Sequence, residues 1–129
     1  MKKRTNWTTD LGIGFRIWIE RRGKPVLGKG RVELLAAIGR TASISAAARE
    51  MKMSYRHAWN MVQEINERAG APLVEAAVGG KKGGGATLTE QGRRAVRLFQ
   101  ELQAKIAEAS AAMFEREVAK SENDGAGES

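Results

Sequence analysis

The sequence predicts a mainly α fold with short β-hairpins: a winged helix-turn-helix extended by a long C-terminal dimerisation helix. Three observations lead there. Residues 43–66 read as two short helices joined by a tight turn, with small residues at the crossing and a second serine, Ser54, opening the second helix. Residues 79–85, Gly-Gly-Lys-Lys-Gly-Gly-Gly, form a cationic glycine loop between two short apolar segments. Ala95, Phe99, Leu102, Ile106, Ala109 and Met113 recur at alternating steps of four and three, the spacing of a coiled-coil seam.

Taken in chain order, the first element is a strand over residues 11–19, where every odd position is apolar and Gly12, Gly14, Arg16 and Trp18 fill the even ones. A period of two is that of a half-buried strand. Arg22-Gly-Lys-Pro25 supplies turn chemistry, and Val26 and Leu27 return beside the first strand. Val32, Leu34, Leu35 and Ile38 then recur at helical spacing until Gly39-Arg-Thr41. Ser43 caps a second helix to about Met51, and Ser54 caps a third to Gly70, each hydroxyl accepting from an unpaired first-turn amide. Ala58, Val62, Ile65 and Ala69 give the third helix a buried stripe, and Pro72 prevents its continuation. Residues 73–78 and 86–88 flank the glycine loop as the strands of a wing, and Thr89 caps the final helix.

The boundaries that follow are a basic N-terminal arm over 1–10, a winged helix-turn-helix over 11–88, a dimerisation helix over 89–118 and a disordered tail over 119–129. A helix from Glu90 to about Val118 is roughly 43 Å long at 1.5 Å per residue, more than a small domain covers. Its stripe packs on its own domain up to about Leu102, and the remainder wants a partner. The expected dimerisation residues are Phe99, Leu102, Ile106, Ala109 and Met113. Residues 121–129 hold no apolar anchor, hence the expected disorder.

With 129 residues the chain holds one domain plus an appendage, and 42% hydrophobic against 29% charged residues is the balance of a folded soluble protein. No apolar run approaches the roughly 20 residues that span a bilayer. The basic Met1-Lys-Lys-Arg4 is followed by polar residues rather than by the apolar part of a secretory signal, so a cytoplasmic location and no membrane partner are expected. Without cysteine, disulfides, thiolate zinc sites and cysteine nucleophiles are excluded. The net charge of +7 is unevenly placed: residues 1–30 hold eight Lys or Arg against Asp10 and Glu20, whereas residues 115–129 are acidic. A polyanionic partner is favoured.

Opposite its buried stripe the third helix offers Ser54, Tyr55, Arg56, His57, Asn60 and Gln63, side chains of the kind that read base edges and phosphates. The lysines of the loop, Lys81 and Lys82, suit DNA phosphates or the minor groove, unless the loop is an idle surface. A phosphate-cofactor loop is excluded because no Gly-Lys-Ser/Thr triplet ends the glycine run. His57 is the only histidine and has neither cysteine nor carboxylate on its face, so no metal, cofactor or catalytic residue is expected and the chain is read as no enzyme. Trp59 follows Tyr55 by one turn; packing is the expected role of Trp59, and packing or base contact of Tyr55.

Gly39-Arg-Thr-Ala-Ser-Ile-Ser-Ala-Ala-Ala-Arg49, Met53-Ser-Tyr-Arg-His-Ala-Trp59, Gly79-Gly-Lys-Lys-Gly-Gly-Gly-Ala86 and Leu88-Thr-Glu-Gln-Gly-Arg93 resemble the N-terminal DNA-binding domain of ModE-type molybdate-responsive regulators, over about residues 11–115. The helix-turn-helix is also similar to that of LysR-type regulators. The resemblance implies a homodimer on double-stranded DNA with the third helix in the major groove and Ser54, Tyr55, Arg56 and His57 at the family's contact positions. Ser43 and Ser45, at the start of the second helix, are further expected DNA contacts. It also implies that molybdate is sensed in a further C-terminal domain with a Ser-Ala-Arg-Asn stretch, which this sequence does not contain, so molybdate is not an expected ligand of the chain by itself. Lys52 stands in the turn where the family commonly has glycine. A protein-interaction module and an accessory oxyanion-binding protein are the alternative functions.

Overall fold

In the computed structural model, which describes residues 7–77 and 85–127, Arg22 and Gly23 have φ values of 53° and 78°. Two successive left-handed residues close a two-residue hairpin whose twist matches its strands. β1 (Trp18–Arg21) therefore turns directly into β2 (Lys24–Gly28), with Ile19 opposite Leu27, Arg21 opposite Lys24 and a register shift between Ile19 and Glu20. The strand expected over 11–19 is largely absent: only Trp18 and Ile19 of that stretch enter the ladder, and residues 11–17 follow the 3-10 turn Trp7–Asp10 without regular structure. A period of two assigns faces, but a ladder needs a neighbour. β2 ends where α1 begins at Lys29, so no residue of the hairpin lies opposite 11–17.

α1 (Lys29–Thr41) buries Val32, Leu34, Leu35, Ala37 and Ile38 and ends on Ala42, whose left-handed backbone directs its N–H to the Ile38 carbonyl. α2 (Ile44–Glu50) and α3 (Tyr55–Ala69) have the expected serine caps: Ser43 Oγ accepts from the Ala46 amide at 3.0 Å and Ser54 Oγ from the His57 amide at 3.1 Å. Such a cap stabilises a helix by about 1 kcal/mol. Ala47, Ala48 and Ala58 are buried in the core that α2 and α3 share, and their small size lets the two helices approach closely. Lys52 in the intervening turn has φ 56°, the left-handed conformation that its place in the turn demands.

β3 (Val74–Ala76) and β4 (Ala86–Leu88) pair antiparallel as the base of the wing, Val74 opposite Leu88 and Ala76 opposite Ala86. Beside β4, Gly85 bridges to Ser43, and the Ala86 amide donates to the Ala42 carbonyl at 3.1 Å, so the wing is fastened to the start of α2. α4 (Glu90–Gly127) opens on Thr89, whose hydroxyl accepts from the Gly92 amide at 3.0 Å and donates to the Pro72 carbonyl at 2.7 Å. Gly92 is required: a Cβ there would stand 2.1 Å from the Leu73 carbonyl oxygen.

The core gathers Leu34, Leu35 and Ile38 of α1, Val62 and Ile65 of α3, Leu73 and Leu88 of the wing, and Val96 and Phe99 of α4. Burying each such side chain contributes about 1.5–3 kcal/mol. Phe99 is only 1% exposed in this core, which removes it from the expected dimerisation seam. Its stripe changes role at the next position, because Leu102 is already exposed.

The described residues divide into two compact units, residues 16–101 and a second formed by residues 7–15 with the helix from Leu102 onward. In the second unit, Leu11, Ile13 and Phe15 form a groove with Ala107, Ala111, Phe114 and Val118, and the Thr8 hydroxyl donates to the Glu122 carboxylate. α4 runs to Gly127, through most of the tail expected to be disordered over 119–129. Lack of apolar anchors argues against burial, but helix hydrogen bonds are local, and Lys120 pairs with Glu117 one turn back at 3.3 Å.

Candidate nucleic-acid interface

The polar face of α3 is built by its buried face. Ala58, Val62 and Ile65 turn into the core, so at roughly 100° per residue Arg56, Asn60 and Gln63 stand on the opposite side. All three are exposed, as are Ser54, Tyr55 and His57. On α2, Ser45 is exposed and Ser43 half-buried at the cap. The fold thus brings eight of the ten expected DNA-contact residues onto one helix pair; the other two, Lys81 and Lys82, lie outside the described residues, as do Met1 to Arg4.

Cations on this surface differ in how they are engaged. Arg40 pairs with Glu50 at 2.7 Å, whereas among the described residues Arg56 forms no ion pair and no hydrogen bond within the chain. A guanidinium without an internal partner keeps its whole fork of donors for a carbonyl or phosphate. Arg31 and Arg68 are structural: both bind Glu64 Oε1, at 2.9 and 2.7 Å, and they donate to the Val26 and Pro25 carbonyls of the hairpin. The hydrogen bond from Arg31, reinforced by the charges of Arg31 and Arg68 and opposed by partial desolvation, holds the Glu64 carboxyl below its usual value of 4.5.

Two residues behave differently from the reading of the sequence. Trp59, expected to pack, is 44% exposed on the same flank as Tyr55, which is 55% exposed. Helical spacing brings two rings together without deciding whether a third surface covers them. Asn66 carries no distinguishing mark in the sequence, yet its Oδ1 accepts from the Leu73 and Val74 amides at 2.8 and 3.2 Å and its Nδ2 donates to the Val74 carbonyl at 3.0 Å. It ties α3 to the wing. A lone polar residue among helix-face residues carries no local sign of that role.

Two serine-capped helices crossing on alanines, a two-stranded wing fastened to the second of three helices, and a third helix with an exposed polar face define a winged helix-turn-helix. Residues 30–93 match the bacterial regulatory helix-turn-helix proteins of the lysR family, and this part of the chain is similar to them. The chain is 52% identical over 89 residues to the molybdenum-pterin-binding protein MopB of Rhodobacter capsulatus, a match covering 69% of this chain and 33% of MopB. It is 44% identical over 69 residues to the DNA-binding transcriptional dual regulator ModE of Escherichia coli K12, covering 54% of this chain and 26% of ModE. The chain is therefore related to the ModE-type regulators and spans a third or less of the length of these two relatives. The crystal structure of the CbnR DNA-binding domain in complex with DNA superimposes with a TM-score of 0.52 at 21% identity, over 64% of this chain and 93% of that one, which shows the shared fold. Neither relative is named as an enzyme. Among the described residues no helix is long and apolar enough to cross a membrane.

Proposed function

We propose that the chain is a sequence-specific, double-stranded DNA-binding transcription regulator of the ModE type that acts as a homodimer. The observation that carries this reading is the exposed N-terminal half of α3, where Arg56, beside Asn60 and Gln63, has no partner among the described residues. α3 enters the major groove: Arg56, Asn60 and Gln63 face base edges, and Ser54, Tyr55 and His57 face bases or the adjoining backbone. Ser43 and Ser45 at the start of α2 approach phosphates. Lys81 and Lys82 contact backbone or minor groove from the wing. Leu102, Ile106, Ala109 and Met113 form the contact between protomers.

Reading and positioning are separable in one experiment. Binding is measured to a selected duplex and to its scrambled counterpart at several salt concentrations. Arg56→Ala should weaken binding to the selected duplex by about 1–3 kcal/mol and relax preference at particular base pairs. Lys81→Ala with Lys82→Ala should weaken both duplexes alike and flatten the slope of log K against log salt by about 0.9 per lost phosphate contact. Unaltered DNA binding in both variants would leave the protein-interaction reading in its place.

The molybdenum in the name of MopB does not by itself carry over to the matched third. For the chain as it stands, DNA affinity should be indifferent to micromolar molybdate. A tenfold change, about 1.4 kcal/mol, would instead support an oxyanion site within or between protomers.

A further inference from the structure

We propose that Trp59, with Tyr55 beside it, makes the helix-turn-helix selective for thymine by covering the thymine 5-methyl group in the major groove. This rests on the reading of α3 as the groove-entering helix and deepens it. Tyr55 and Trp59 are four residues apart and so lie one above the other on α3. Both residues stay partly open to solvent, 55% and 44% exposed, although the helix buries Ala58, Val62 and Ile65. They belong to neither the core nor a plain solvated face.

Their position says what they meet. The flank that carries them also carries Asn66, at about the same helical angle, and Asn66 is bound to Leu73 and Val74 at the base of the wing. Tyr55 and Trp59 therefore share a flank of α3 with Asn66, next to the polar face of the helix, and Tyr55, Arg56, Trp59 and Asn60 together line a shallow depression. One wall is aromatic and the other offers a guanidinium and a carboxamide. The major groove presents a single apolar feature, the methyl of thymine, next to acceptor and donor atoms of purines that Arg and Asn bind in pairs. A guanidinium beside the rings, unpaired among the described residues, favours a polyanion over an apolar protein surface, which fixes DNA as the occupant.

The test uses the full chain, a duplex obtained by selection from random sequence, and the same duplex with each thymine replaced in turn by deoxyuridine, which lacks only the methyl. The wild type should lose about fourfold in affinity at one or more positions, the size of a buried methyl contact. Trp59→Ala should bind the thymine and uracil forms equally at those positions, and Trp59→Phe should keep the preference. Trp59→Gln, which retains bulk without an apolar ring, carries the same expectation as the alanine variant, and circular dichroism checks that each is helical. An equal loss on demethylation in wild type and Trp59→Gln, or no thymine whose methyl matters, overturns the assignment while leaving the DNA-binding reading intact. A wild type that does not distinguish the selected duplex from scrambled DNA overturns both.

Discussion

The first turns of α3 and the turns of α4 beyond Leu102 both leave one face uncovered, and the two faces differ in chemistry. On α3 the open face is Arg56, Asn60 and Gln63, flanked by two aromatic rings. On α4 it is Leu102, Ile106, Ala109 and Met113, while the neighbouring stripe of Ser110, Phe114 and Val118 is partly covered along the groove with residues 11–15. A polar face is at rest in water and needs no partner for stability, so what it binds is decided by its donors. An aliphatic face in water gains free energy from whatever apolar surface covers it. Exposure alone does not distinguish a reading surface from an assembly surface; the residue types on it do.

The largest effect is expected where that contrast is erased. Placing Glu at both Leu102 and Ile106 buries unpaired charge in the proposed contact between protomers and should weaken self-association by several kcal/mol, leaving monomers in sedimentation. An unchanged dimer would place self-association elsewhere, and the exposed stripe would then need another explanation. The next effect sharpens where the seam begins. Phe99→Ala, three residues earlier on the same stripe, should lower stability to urea by about 3–5 kcal/mol, since Phe99 is packed in its own core. If it altered assembly without altering stability, the boundary between core and seam would lie earlier than Leu102.

The smallest effect tests α3 from its other flank. Glu64 has a lowered pKa because of its hydrogen bond from Arg31 and the charges of Arg31 and Arg68. Its folded value lies below its unfolded one, so its contribution is present above the ordinary carboxylate range and is lost as pH falls through the lowered value. The pair is partly open to water, which limits the contribution to below about 1 kcal/mol. Glu64→Gln should therefore be less stable at neutral pH and show a shallower loss of stability on acidification, followed by thermal unfolding between about pH 6 and pH 3. A parallel shift of the two curves would mean that Glu64 acts through packing rather than charge.

What is legible in the sequence is local. Ser43, Ser54 and Thr89 are each three residues from the amide they bind, so their caps were visible in a window of four residues, and the stripe of Ala58, Val62 and Ile65 was visible from its spacing. The face that α3 presents followed from the face it buries. Tertiary structure decided whatever depended on a partner remote in sequence. Residues 11–17 alternate like a strand, but a strand exists only where another lies alongside, and β2 is too short to supply it. Phe99 and Leu102 share one periodic stripe, yet packing against α1, α3 and the wing stops between them. Trp59 is spaced for packing and left partly exposed, and Asn66 joins α3 to the wing through bonds no spacing announces. Periodicity ranks the faces of an element, whereas burial requires that some other part of the chain arrive there, and that is settled only by how all the elements pack at once.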